Sequence, residues 1–117
     1  MQIEVKARNC QVTAEMRERI IRRFDKVGRQ VSDLARLEVE MFEERNPANP
    51  DCHVAEVTLY LKGVTLRAKE ATRDMDHSIN LVSEEMARQV KRHRVKRRKR
   101  REARAAAAAQ AGIQPAM

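Results

Sequence analysis

The chain has 117 residues, 36% charged and 42% hydrophobic, with 25 Lys and Arg against 17 Asp and Glu for a formal net charge of +8. That length sets one domain, and aromatics at 3% leave a small core of Val, Leu, Ile, Met and Ala. No apolar run reaches membrane-spanning length and Met1 leads straight into QIEVKAR without a signal-like segment, so a soluble, cytoplasmic protein is expected.

In chain order, Ile3, Val5 and Ala7 alternate with Glu4, Lys6 and Arg8, the period of a half-buried strand over residues 2–8. Thr13 is placed to cap a helix, with Glu15 in its first turn. Met16, Ile20, Phe24, Val27 and Val31 then form one apolar stripe, which predicts a first helix over roughly residues 14–30. Its other side carries Arg19, Arg22, Arg23, Lys26 and Arg29, open to two readings: a contact strip for phosphates, or a surface laced by i,i+4 pairs such as Glu15–Arg19, Glu18–Arg22 and Asp25–Arg29.

Alternation returns at residues 35–42 for a second strand. EERNPANPD at 43–51, with two prolines, cannot continue a ladder and reads as a loop. A third strand over about 53–62 has Ala55, Val57, Leu59 and Leu61 inward, and a fourth from Val64 presents Leu66 and Ala68, with Gly63 permitting the tight reversal between them. Each strand has one polar face, so helices must cover one side only. The second helix begins near residues 72–74, and Met75, Ile79, Val82, Met86 and Val90 supply its stripe. The order β-α-β-β-β-α predicts an α+β, two-layer sandwich: a four-stranded sheet with two helices on one face, strands one and two parallel through the helical crossover.

Residues 88–104 hold eleven bases and one acid, a formal charge of +10, and leave fourteen bases and sixteen acids, or −2, for everything else. After Val90 the core-facing positions become His93 or Arg94 and then Arg97, so the helix has run past its sheet. Self-repulsion opposes continuation, while the alanines at 105–109 favour it, and a frayed helix or disordered extension over 95–117 is expected, ordered by phosphates and ending in a QAGIQPAM tail. A segment so charged gains counterion-release entropy on a polyanion, which points to nucleic acid. A solvated tail, a localisation run or, less readily for want of Leu, Phe or Trp, an anionic membrane surface are the competing readings.

Cys10 and Cys52 are too few and too separated for a zinc motif, and Cys52 and His53, adjacent on a strand, would point to opposite faces. No metal, cofactor, disulfide or small-molecule substrate is expected. No phosphate-binding glycine loop, nucleophilic triad or paired buried carboxylates can be placed, so an enzyme is not expected. Asp74 and Asp76 read as helix-start residues. Glu38, Glu40 and Glu56 on the open sheet face, beside the lone Tyr60, argue that nucleic acid meets the helical side and the extension.

QIEVKARNCQVT with its following amphipathic helix, the pair HVAEVTLYLKGVTLRAKE and EATRDMDHSINLVSEEMARQVKRHR resemble the ribosome hibernation-promoting factor family, also described as ribosome-associated inhibitor or sigma-54 modulation proteins. The resemblance covers about residues 1–94, a ribosome-binding domain to which 95–117 is appended. It implies a double-stranded-RNA-binding-domain-like fold and a translation inhibitor that occupies the mRNA and tRNA channel of the small ribosomal subunit in stressed or stationary cells. It implies rRNA contacts from Arg22, Arg23 and Lys26 and from Arg88, Lys91, Arg92 and Arg94, enlarged here by Lys96, Arg97, Arg98, Lys99, Arg100 and Arg101. Short members end in an acidic tail and long ones in a second, dimerising domain; this chain carries neither, so a homo-oligomer is not expected of it. The alternative is a general RNA- or DNA-binding basic module without ribosome specificity.

Overall fold

A computed structural model describes residues 1–45 and 48–113; Asn46 and Pro47 of the proline-rich loop and the last four residues of the expected tail lie outside the described residues. Strands β1 (Gln2–Arg8), β2 (Arg36–Glu43), β3 (His53–Leu61) and β4 (Val64–Thr72) form one sheet in the order β1-β2-β3-β4. β1 and β2 are parallel, Ile3 opposite Leu37 and Val5 opposite Val39, and the other pairs are antiparallel. Two residues, Lys62 and Gly63, close the β3–β4 hairpin, with Gly63 at φ 79°, where a side chain would be strained.

The first helix is two segments instead of the single helix expected: α1 (Ala14–Arg23) and α2 (Asp25–Gly28). Thr13 caps α1, its Oγ1 accepting the Met16 N–H at 3.1 Å. Phe24, at φ −93° and ψ 3°, breaks the helix yet is fully buried, so the bend aims both Ile20 and Val27 into the core. Helix α3 (Met75–Ile113) continues for 39 residues, about 58 Å at the usual rise, through the entire basic segment. Alanine propensity and an Arg98–Glu102 pair one turn apart favour that continuation over fraying. None of the helices among the described residues is long and apolar enough to cross a membrane.

Leu37, Val39, Met41, Ala55, Val57 and Leu59 from the sheet meet Ile20, Phe24, Val27, Ile79, Val82, Met86 and Val90 from the helices in one core. Val90 is the last of them, so the sheet supports only the first sixteen residues of α3; the rest overhangs and gives the molecule a 74 Å long axis against a 17 Å short one. The start of α3 is tied to the sheet by Ser78, fully buried, whose Oγ donates to the His53 carbonyl at 2.6 Å and lies 2.7 Å from Thr72 Oγ1.

The uncovered sheet face is paired rather than acidic. Arg8 meets Glu40 at 2.6 Å, Arg36 approaches Glu38 at 3.9 Å, and Tyr60 donates to Glu38 at 3.3 Å beneath the Arg36 guanidinium, 4.5 Å from the ring centroid. Val54, buried on this side, stands between Phe42 and Ala71, with Arg8 over the Phe42 ring.

Candidate nucleic-acid interface

The expected contact residues divide between the helical layer of the body and the overhang of α3; sheet-face cations such as Arg8 and Arg36 instead pair with Glu40 and Glu38. In the body, Arg19 Nη1 reaches Asp76 at 3.1 Å and Arg23 Nη1 donates to Asn80 Oδ1 at 2.7 Å. Both links join residues 57 apart, so α1 and α3 run side by side in the same direction. Arg19 is therefore spent on helix packing across the layer instead of on Glu15, and its buried Nε has no hydrogen-bond partner, which offsets part of the gain from the ion pair. Asp25 and Arg29 do form the i,i+4 pair expected, at 2.8 Å.

Of the helix-one candidates, Arg22 and Lys26 are exposed, whereas Arg23 is half-buried with one guanidinium nitrogen committed to Asn80. On α3, Arg88, Lys91, Arg92 and Arg94 are all exposed. Asp76 and Asn80 mark the stripe of α3 that faces α1, and helical spacing carries that stripe through Ala87 to Lys91, Arg94 and Arg98. The seam between the helices thus opens toward its downstream end onto basic residues.

Glu85 tempers this surface. It accepts from Arg88 at 2.8 and 3.0 Å, from Gln89 at 3.4 Å and from Arg92 at 3.4 Å. The Arg88 hydrogen bonds, followed by the Gln89 bond, hold its carboxyl below the usual carboxylate range. Sequence reasoning misses Glu85, although its i,i+3 spacing from Arg88 is a signal that could have found it. Gln89 also donates to the Arg67 carbonyl at 2.7 Å, pinning this turn of α3 to strand β4.

Beyond Val90 the positions that faced the core become His93, Arg97, Arg100 and Arg104. With Arg92, Lys96 and Arg101 they wall an open groove of about 990 Å³, whose other side is Lys62, Gly63, Val64 and Leu66 of the hairpin. Lys62 and Arg104 were not among the expected contact residues; Lys62 becomes relevant only because the hairpin ends below the overhang. Arg94, Arg98 and Lys99 are exposed and do not line the groove, so the overhang is cationic around its circumference. Cys52, directly before β3, comes together with His53 and Glu43 at the opposite end of that strand, their ligand atoms within 4.8 Å of one another despite the opposite faces expected of adjacent strand residues.

The family model described as sigma 54 modulation protein / S30EA ribosomal protein matches residues 3–98. A ribosome hibernation promotion factor of Picosynechococcus sp. is 29% identical over 97 residues, covering 82% of this chain and 50% of the relative. One from Lactococcus lactis subsp. cremoris is 28% identical over 100 residues, covering 82% and 51%, so this chain spans about half the length of both. A ribosome hibernation promoting factor of Acinetobacter guillouiae is 24% identical over 99 residues, covering 80% and 88%. Among solved structures, the N-terminal domain of Thermus thermophilus Protein Y has a TM-score of 0.68 at 21% identity, over 80% of this chain and 99% of its own. A ribosomal subunit interface protein from Coxiella burnetii has 0.68 at 14%, over 81% and 99%. At those identities the likeness shows the fold.

Proposed function

We propose that this chain, which belongs to the sigma 54 modulation protein / S30EA ribosomal protein family, is a cytoplasmic, non-enzymatic factor that binds the small ribosomal subunit, fills its mRNA and tRNA channel and holds idle ribosomes in hibernation. The observation that carries this reading is the charge distribution: a near-neutral, self-paired body that lifts Arg22, Lys26, Arg88, Lys91, Arg92 and Arg94 onto its helical layer and continues into a cationic overhang. The names of the relatives, hibernation promotion factors, support the ribosome as partner.

Residues 1–94 form the body that fits the channel, and residues 95–117 are an extension that adds charge. Exposed Lys and Arg meet rRNA phosphates and displace counterions, which supplies affinity without base reading. A rigid two-layer body supplies shape, the property by which structured RNA is distinguished. Inhibition then needs no chemistry; the volume of the body stands where mRNA and tRNA would lie.

The test is competition. Small subunits loaded with mRNA and P-site tRNA are titrated with the protein, and translation is followed in parallel in a cell extract. Loss of bound tRNA together with stalled synthesis is the expected result; undisturbed tRNA and full-rate synthesis at protein excess reject channel occupancy. One observation favours a second reading, a general RNA- or DNA-binding module: the overhang carries cations all round instead of on a single face. On that reading duplex DNA competes as well as rRNA does, mass for mass.

A further inference from the structure

We propose that Glu43, Cys52 and His53 form a binding site for one borderline-soft divalent cation of the zinc type, at the end of the sheet remote from the β3–β4 hairpin. A carboxylate oxygen of Glu43, Cys52 Sγ and a ring nitrogen of His53 all lie within 4.8 Å of one another. Thiolate, imidazole and carboxylate are the ligand types zinc takes. Tetrahedral bonds of about 2.0–2.3 Å would set these atoms roughly 3.3–3.6 Å apart, so closure brings them together by at most about 1.5 Å.

The backbone holds the three residues ready. Glu43 stands directly opposite His53 in the antiparallel register, and the Glu44 N–H donates to the Cys52 carbonyl at 2.8 Å, extending the ladder by one rung past β3. That pattern makes Glu43 and His53 a non-hydrogen-bonded pair, the kind whose side chains sit closest. The His53 carbonyl is in turn fixed by buried Ser78. Cys52 and His53 are half-buried, open enough for a metal to enter.

On the Glu43 side of the site Glu44, Arg8 and Arg45 share a shallow pocket with it, and the exposed Asp51 directly precedes Cys52. The two arginines oppose a cation, whereas a thiolate and a carboxylate as ligands cancel its two charges and lower that cost. Cys10 stays outside the ligand set: its Sγ donates to the Met41 carbonyl at 3.5 Å, and burial pushes its thiol pKa up, against thiolate formation. The fourth position is left to water. Binding releases the thiol proton, so affinity rises with pH.

The inference is independent of nucleic-acid binding, and so is its test. Tag-free, nucleic-acid-free full chain is titrated with Co²⁺, which reports a bound thiolate by charge-transfer absorption, and then with Zn²⁺ to displace it. Expected are one equivalent of Co²⁺, a thiolate band bleached by Zn²⁺, loss of the band in Cys52→Ser, and weakening by at least the ~10–100-fold of a missing supporting group in His53→Gln and Glu43→Gln. Cys10→Ser, His77→Gln and His93→Gln retain the band. Far-UV circular dichroism of every variant separates ligand loss from unfolding. A wild-type chain without the band, or a band that survives in folded Cys52→Ser, overturns the site.

Discussion

The two halves of helix α3 share one continuous backbone and have opposite reasons to exist. Up to Val90 the helix is an anchored element: Ile79, Val82, Met86 and Val90 are buried on the sheet, and Gln89 and Ser78 tie it to β4 and β3. From residue 91 onward the sheet no longer covers it: His93, beside the hairpin, and Val95 are half-buried, residues 96–110 are exposed, and the helix stands chiefly on intrinsic propensity. The anchored half determines whether the protein folds; the free half determines how strongly a polyanion is attracted. Stability and charge, which conflict when bases are packed together, are thereby separated along one rod.

The largest expected effect sharpens that contrast. Replacing Arg97, Arg98, Lys99, Arg100 and Arg101 by Gln lowers the slope of log affinity for rRNA against log salt by about four, at roughly 0.7–0.9 for each phosphate no longer neutralised. The same variant keeps its unfolding free energy within about 0.5 kcal/mol, since all five side chains are exposed. Salt-dependent filter binding and chemical unfolding read the two. The converse is Met86→Ala, which leaves the charge untouched, opens a cavity in a fully buried site and costs about 2–5 kcal/mol in urea unfolding.

Next comes Arg98→Pro. It costs about 3 kcal/mol of local helix, lowering far-UV helicity while the cooperative unfolding of the body stays where it was; a body that melts earlier would mean that the halves are coupled. Smallest is Glu85→Gln. Removing this negative charge loosens its hold on Arg88 and Arg92, so rRNA affinity rises a few-fold, against about 0.5 kcal/mol of stability forfeited with the exposed pair. Because the folded-state pKa of Glu85 is lowered, its contribution is complete above the ordinary carboxylate range and disappears as pH falls through the lowered value. Acid titration of unfolding should accordingly lose that increment in wild type and show none of it in Glu85→Gln.

The sheet was legible because its strands obey a strict period of two, and Thr13, Gly63 and the α3 stripe because caps, turns and helices each demand particular residues. The break at Phe24 was not, since the apolar spacing passes through it unchanged and only the backbone bends. Nor could spacing show that Arg19 and Arg23 reach across to Asp76 and Asn80, because a helical wheel gives neighbours within an element and is silent about the next one. Val54 hid for a similar reason: its cover comes from Phe42 on another strand. The basic surface was legible as charge, and the Glu85 counterweight was within reach of helical spacing, but the Lys62 side of the groove and the convergence of Glu43, Cys52 and His53 require tertiary placement.

The most direct measurement is cosedimentation of the chain ended after Arg94 with purified small subunits at low salt. Every core residue lies before that point, so the body stays folded. The truncated protein is expected to travel with the subunit, more weakly and with a shallower salt dependence than the full chain, and to be released by Gln at Arg22, Lys26, Arg88 and Lys91. A truncated chain that remains at the top of the gradient, while a peptide of residues 95–113 rides the subunit by itself, would contradict recognition by the body.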